Sequence, residues 1–231
     1  MRSPQTDRFV TGLVLGAGGS ARLGTPKQLL PYGESTLLGH VVGVARTCCF
    51  DQLVVAIGGA ADEVRANVDL AGTDVVVNDA YGQGCSSSIA AGIEILDPRC
   101  EVIVLMLGDQ PGVSAGTVGS LLEWRGQAAL AVCRYENGRG HPIAFASSLF
   151  GELATLHGDR GVWRLLEHHA VQTAEVQLLG PIPLDVDTPQ DYRAVLAHAG
   201  LQETPAGVGG GVAHACLREA PAGVDAGPRG K

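Results

Sequence analysis

The chain has 231 residues, 45% of them hydrophobic and 17% charged, which is enough apolar material to bury a large core. Its net charge of -8 argues against nucleic acid or an anionic membrane as a partner. No apolar run of membrane-spanning length and no secretory signal is evident, so a cytoplasmic location is expected, and the six cysteines, without a C-x-x-C pair or metal-ligand spacing to the histidines, read as free thiols.

Residues 1–8 are polar and are expected to be disordered. Phe9 to Leu15 is an apolar run that predicts a buried strand. It leads into Gly16-Ala17-Gly18-Gly19-Ser20-Ala21-Arg22 and then Lys27. Residues without a Cβ let backbone N–H groups crowd around phosphate oxygens, and Arg22 and Lys27 add full positive charges beside them.

Three phosphate ligands compete for this loop. Gly16 to Ala21 satisfies the dinucleotide pattern G-x-G-x-x-G/A, but that fold starts a helix inside the motif and ends the next strand in an acid. Here Thr25-Pro26 and Pro31-Tyr32-Gly33 interrupt any such helix, and the next strand ends in Gly58-Gly59. A P-loop is excluded because Lys27 has neither Gly before it nor Ser or Thr after it. A loop wrapping a nucleoside triphosphate needs glycines and separate cations, and the segment offers both.

Thr36 to Cys48 carries Leu37, Leu38, Val41, Val42, Val44 and Ala45 at helical spacing. A strand over Asp51–Ile57, a helix over Ala60–Leu70 with Asp62 and Glu63 in its first turn, and a strand over Asp74–Val77 follow. This alternation predicts an α/β fold of three layers, Rossmann-like and doubly wound, with a mostly parallel sheet. The next loop, Asn78 to Ser88, should lie beside the first one at the carboxyl edge of the sheet. At least one hydroxyl of Ser86, Ser87 and Ser88 is expected to cap the helix that runs on to Leu96, and Cys85 to pack rather than react.

Val102 to Leu107 is almost wholly apolar and predicts a central strand. Asp109 follows it. Ser114 is the better cap for the helix to Trp124, which leaves Asp109 placed to hold Mg²⁺ against phosphate oxygens. A strand over Ala128–Cys133, a turn at Glu136-Asn137-Gly138-Arg139-Gly140 and a returning strand over His141–Phe145 form a hairpin. His141, beside Pro at the start of a strand, is more often structural than an acid or base. Helices over Ser147–Leu156 and Val162–His169 flank the turn His157–Gly161, in which Asp159 and Arg160 either face a ligand or pair in solvent. A strand over Thr173–Leu178 precedes Ile182–Val186 and a last helix over Pro189–His198, capped by Asp187 or Thr188. From residue 200 the chain is rich in Gly and Pro and poor in large apolar side chains, and the tail 200–231 is expected to be disordered.

The stretch Leu13 to Pro31 resembles the signature of the MobA-like nucleotidyltransferases, with Gly16 where Ala is usual. Asn78 to Ser88, Gly108-Asp109-Gln110-Pro111, Gly140-His141-Pro142 and Asp185-Val186-Asp187-Thr188-Pro189 continue the likeness in order over about residues 10–198. Gly-Asp-Gln-Pro and Arg-Gly-His-Pro resemble the molybdenum cofactor cytidylyltransferase branch more than the guanylyltransferase branch. The resemblance implies a nucleotidyltransferase domain over 9–199 that moves CMP from CTP to molybdopterin and releases pyrophosphate. It implies nucleotide contacts from Leu15, Gly16, Ala17, Gly18, Gly19, Ser20, Arg22, Lys27, Asn78, Gly84 and Ser88, with Gly84 and Ser88 at the base. Catalysis would fall to Arg22, Lys27 and Asp109, Mg²⁺ to Asp109 and Asp187 with Asp185 as a neighbour able to substitute, and the acceptor to His141 and Asp159. A transient contact with a molybdenum hydroxylase or its chaperone is also implied. Other phosphorylated acceptors, a nicotinamide-dependent oxidoreductase using Gly16–Ala21 and a nucleotide sensor without turnover stay open.

Overall fold

Alternating strand and helix signals resolve into a seven-stranded sheet with helices on both faces, in a computed structural model that describes residues 8–203 except Ala21. In chain order the elements are β1 (Phe9–Gly16), the short strands β2 (Pro31–Tyr32) and β3 (Ser35–Thr36), α1 (Leu37–Thr47), β4 (Gln52–Ile57), α2 (Ala61–Asn67), β5 (Asp74–Val77), α3 (Cys85–Glu94), β6 (Cys100–Leu107), α4 (Ala115–Arg125), β7 (Leu130–Tyr135), β8 (Gly138–Ala146), α5 (Phe150–Ala154), α6 (Gly161–His168), β9 (Thr173–Gln177) and α7 (Pro189–His198). The large sheet has the order β5-β4-β1-β6-β8-β7-β9. β8 runs antiparallel to both of its neighbours, and the other pairings are parallel. Among the described residues no helix is long and apolar enough to cross a membrane.

Strand alternation divides the core between the two faces. Val14, Val55, Val104 and Met106 point to one side, where α1 brings Leu38, Val41 and Val42 and α4 brings Val118 and Leu121. Leu13, Val54, Ile103 and Leu105 point to the other, against Ile89 of α3, Leu153 of α5 and Val162 and Leu166 of α6. β6 is covered from both sides along most of its length, as its apolar run predicts. A third cluster of Tyr32, Leu37, Val186, Tyr192, Val195 and Leu196 ties the β2–β3 hairpin to α7. That cluster holds the two halves of the site in register, because the loop after β1 and the segment before α7 both end on it.

The caps follow the chain's own signals. Thr36 accepts from the Gly39 N–H at 3.0 Å and Ser114 from the Thr117 N–H at 3.1 Å. Thr188 makes a capping box with Asp191 at the start of α7. Asp109 and Asp187 are therefore both released from capping.

Several boundaries differ from the expectations. α2 stops at Asn67 rather than Leu70, because Val68 turns extended and Arg46 pins the carbonyls of Asp69 and Ala71 in the turn beyond. The helix expected over 147–156 is a 3-10 turn at Ser147–Leu149 and the short α5, ended where the Thr155 hydroxyl bonds the Glu152 carbonyl. The hairpin turn is only Glu136 and Asn137, so Arg139 and Gly140 belong to β8. Both turn side chains are committed: Glu136 accepts from the Gly180 N–H and Asn137 from the Ile182 N–H, and 182–186 belong to no helix or strand. At the boundaries expected to be disordered, Arg8 donates to the Gly126 carbonyl, and the docked chain runs past Ala199 to Leu201. Gly200 adopts φ +70°, and the Leu201 N–H returns to the Leu196 carbonyl at 2.9 Å in a Schellman closure that places Leu201 on the third cluster. The remainder of both terminal segments, 1–7 and 204–231, lies outside the described residues.

Candidate active site

The carboxyl ends of β1 and β6 meet where the Gly108 N–H bonds the Leu15 carbonyl at 2.9 Å. β1 delivers the glycine loop there, and β6 delivers Asp109. Gly108 admits no side chain: a Cβ would lie 2.8 Å from Leu38 and 2.9 Å from the Leu15 carbonyl oxygen. Gly16 sits under the same Leu38, whose methyls would be 3.0 and 3.1 Å from a Cβ, so the Gly found here in place of Ala accommodates a large neighbour.

Lys27, in a 3-10 turn at Lys27–Leu29, is the electrostatic centre. Its Nζ lies 2.5 Å from Asp109 Oδ2 and 2.9 Å from Asp187 Oδ1. Burial works to lower the ammonium's pKa, but the two carboxylates outweigh it and hold it above its ordinary value. Asp109 is pushed up by burial and by Asp185 and Asp187, with Lys27 pulling the other way. Asp187 is held down, first by the hydrogen bond from Lys27 and also by Arg22, whose Nη2 is 3.0 Å away. The Val186 N–H bonds the Asp109 carbonyl at 3.2 Å, and Gln110 donates to the Pro183 carbonyl at 3.1 Å. The acidic segment before α7 is thereby strapped to the end of β6.

A cavity of about 470 Å³ opens above this cluster. Of the expected site residues, Leu15, Gly16, Ala17, Gly18, Gly19, Lys27, Gly84, Ser88, Asp109, His141, Asp159 and Asp187 line it. Three do not. Ser20 adopts φ +50° and turns its hydroxyl back to accept the Lys27 N–H at 2.8 Å, so it lines a separate depression of about 300 Å³. Asn78 is buried with its amide spent: Nδ2 donates to Ser87 and Ser88, and Oδ1 accepts the Ala80 N–H. It positions Ser88 instead of touching the cavity. Arg22 stands at the rim, its side chain 68% exposed.

The serines do not cap α3, contrary to expectation. Ser86 donates to the Gly158 carbonyl, Ser87 to the Ala80 and Gly84 carbonyls, and Ser88 accepts from Asn78. Asp159 takes the capping place from a distant loop, its Oδ1 2.9 Å from the Cys85 N–H. Gly84, at φ +99°, permits this approach, since a Cβ would lie 2.8 Å from the same oxygen. The Cys85 thiol, which also lines the cavity, is pushed up to about 11 by burial and by Asp159 and Asp109, and this keeps it protonated. His141 is buried with its pKa lowered to about 4 by desolvation, and its ring meets Trp163 edge-on at 5.7 Å.

Sequence reasoning passed over Gln28, Tyr81 and Trp163, all of which line the cavity. Gln28 stands between Lys27 and the apolar pair Leu29-Leu30, where an exposed polar residue and a buried one look alike in the sequence. Trp163 had no signal. A second cavity, of about 350 Å³ at the amino ends of β1, β4 and β5, has its arginines already paired, Arg46 with Asp69 and Arg99 with Asp97.

The donor chemistry suits a nucleoside phosphate: a glycine loop, an ammonium held by hard carboxylates, and a cavity large enough for a nucleotide. The mostly parallel seven-stranded sheet with flanking helices is the α/β nucleotidyltransferase fold of its solved neighbours. Residues 12–174 match the MobA-like NTP transferase domain, and the chain belongs to that family. Among its relatives, the nicotine blue oxidoreductase of Paenarthrobacter nicotinovorans is 33% identical over 161 residues, covering 66% of this chain and 78% of that protein. A probable molybdenum cofactor guanylyltransferase of Bacillus mycoides is 30% identical over 138 residues, covering 58% of this chain and 66% of its own length. The crystal structure of a homologue of Mycobacterium tuberculosis Rv0371c, from Mycobacterium sp. strain JC1, is 50% identical with a TM-score of 0.78, over 83% of this chain and 96% of that one. Rv0371c of Mycobacterium tuberculosis H37Rv in complex with manganese is 46% identical with a TM-score of 0.75, over 82% and 98%.

Proposed function

We propose that this protein is a Mg²⁺-dependent cytidylyltransferase that joins CMP from CTP to the phosphate of molybdopterin and releases pyrophosphate. The observation that carries the reading is Lys27 held between Asp109 and Asp187 beneath the glycine loop. Family membership supports nucleotidyl transfer. The likeness of Gly108–Pro111 and Arg139–Pro142 to the cytidylyltransferase branch, and a relative named for the molybdenum cofactor, support the acceptor.

In the reaction an oxygen of the acceptor phosphate forms a bond to the α-phosphorus, while the bond from that phosphorus to the oxygen bridging to the β-phosphate breaks. That oxygen leaves with the pyrophosphate. The nucleophile is already an anion, so no strong base is needed, and rate enhancement comes from alignment and charge neutralisation. The loop from Leu15 to Gly19 presents backbone donors. Lys27 and Arg22 neutralise the phosphates and the departing pyrophosphate. Among the described residues no group of three or more His, Cys, Asp or Glu side chains is clustered for a metal. Two carboxylates completed by phosphate oxygens and water are nonetheless the ligand set that Mg²⁺ favours, and Asp109 and Asp187 would hold it, with Asp185 beside them. When bound, the ion would neutralise phosphate charge; the crystal structure named for a manganese complex of a 46% identical protein supports a divalent-metal site. Neutral His141 and Asp159 would border the acceptor, and a molybdenum hydroxylase or its chaperone would receive the product.

The test is to incubate the protein with each labelled nucleoside triphosphate, Mg²⁺ or Mn²⁺, and a panel of phosphorylated acceptors including molybdopterin, following pyrophosphate. CTP with molybdopterin should exceed every other pair. Turnover with GTP, or with another acceptor only, would replace the specificity but keep the reaction.

The relative named nicotine blue oxidoreductase favours a second reading, a nicotinamide-dependent oxidoreductase. The geometry counts against it: the first helical turn after the loop is Lys27–Leu29, and Gly58 and Gly59 follow β4 where a ribose-binding acid would stand. Calorimetry with NADH, NADPH and CTP with Mg²⁺ separates the two. Tight dinucleotide binding without CTP binding would overturn the transferase.

A further inference from the structure

We infer that Gln28 is a positioning residue that sets the anion-binding face of the glycine loop, an inference that rests on the nucleotide reading above. Gln28 is 3% exposed. Its Nε2 donates to the Gly16 carbonyl at 2.8 Å and to the Gly18 carbonyl at 2.8 Å, which uses both amide hydrogens. The opposite amide orientation would set Oε1 against two carbonyl oxygens, so the network allows only this one.

The peptide geometry then follows. In a trans peptide the N–H points opposite to the C=O of the same unit. Drawing the Gly16 and Gly18 carbonyls toward Gln28 therefore turns the N–H groups of Ala17 and Gly19 to the other side of the ribbon, both the same way. The Ala17 carbonyl between them lies against Gly58, where a Cβ would meet its oxygen at 2.7 Å. The loop thus presents two donors aligned on one side, an arrangement that receives anionic oxygens. Lys27, the preceding residue, is stitched to the same loop by its N–H to Ser20 Oγ. One 3-10 turn accordingly sends a charge to the carboxylates and an amide to the loop carbonyls.

The other half of the amide has no such use. Gln28 Oε1 is buried and has no hydrogen-bond partner among the described residues. Gln110 Oε1 is orphaned in the same way, so what distinguishes Gln28 is the pair of bonds that its Nε2 donates to the loop carbonyls. Leu or Met would fill the space without that cost, so packing alone does not account for a glutamine here.

The experiment compares wild type, Gln28→Met and Gln28→Asn by calorimetry with CTP and GTP in Mg²⁺, and with cytidine and guanosine, which lack phosphate. Gln28→Met keeps the volume and removes both donors. Its dissociation constant for the triphosphate should rise by about tenfold or more, as loss of aligned contacts to a charged ligand implies, while nucleoside binding changes by less than about twofold. Backbone amide resonances of Ala17 and Gly19 should shift in the same variant before any ligand is added. In turnover the KM for the triphosphate should rise and the KM for the acceptor stay level. Gln28→Asn keeps the amide but shortens its reach, and should move in the same direction; it decides the question if Gln28→Met does not fold. Equal loss for nucleoside and triphosphate, or no loss, overturns the positioning role. Absence of triphosphate binding in the wild type overturns instead the nucleotide reading beneath it.

Discussion

Lys27 shows how one side chain acquires its role from its surroundings. Its pKa is raised, so the ammonium keeps its charge across the neutral range, and the part of stability tied to its pairing is present below the ordinary lysine value of 10.5 and lost as pH rises through the folded value. Lys27→Ala should weaken CTP binding by about ten- to a hundredfold, the cost of a charge-assisted contact, as read by calorimetry. Asp109→Asn should leave the melting temperature near that of the wild type and cut turnover by at least a similar factor; normal turnover would remove Asp109 from the reaction. His141 gives a sign that titration can check. Its folded pKa of about 4 lies below the ordinary 6.5, so the unfolded chain binds the proton first. Stability should then fall as pH drops from 6.5 to about 4, by about 3 kcal/mol in all, and change no further through this residue below that. Denaturant midpoints for wild type and His141→Gln across this window should show a shallower acid limb in the variant.

At the scale of elements, the site depends on contacts between segments far apart in sequence. The loop before α6 reaches the start of α3 through Asp159 to Cys85 N–H and Ser86 to the Gly158 carbonyl, so the expected base-reading and acceptor-facing loops are one structural unit. Asp159→Ala should free that junction: amide exchange at Cys85 and Ser86 should accelerate while β6 stays protected, and both substrates should bind less tightly. The α7 cap offers a second check. Thr188→Ala breaks the capping box and should cost about 1 kcal/mol by thermal or denaturant melting. Because Asp187 immediately precedes that cap, the metal dependence of turnover should also shift toward higher concentration. Unchanged metal dependence would show that Asp187 is held by Lys27 and Arg22 alone.

For the molecule as a whole, the carboxyl edge of the sheet is a platform whose rigidity comes from the two cores beneath it. Phe145 of β8 is fully buried and pairs with Ile103 of β6 and Leu130 of β7, so it links the parallel half of the sheet to the rest. Phe145→Ala should cost about 3–5 kcal/mol. If the sheet unfolds as one unit, the denaturant midpoint should fall with the slope unchanged; a lower slope or two transitions would show that β7, β8 and β9 unfold separately.

Local chemistry alone made much of this legible. Apolar runs marked β1, β4 and β6, helical spacing marked α1, and Thr36, Ser114 and Thr188 marked helix starts, because strand burial, helix periodicity and capping are written in neighbouring residues. Glycines and cations after β1, with an acid after β6, were enough to suggest a phosphate site and its charges. What needed the folded chain were relations between distant residues: Asp159 rather than a serine at the start of α3, Asn78 supporting Ser88 from behind, Ser20 turned away from the cavity, and Gln28 drawing in two carbonyls. A hydrogen-bond donor is the same group wherever it stands in a sequence. Which acceptor it meets is decided only when packing brings together segments up to 165 residues apart, as with Arg22 and Asp187.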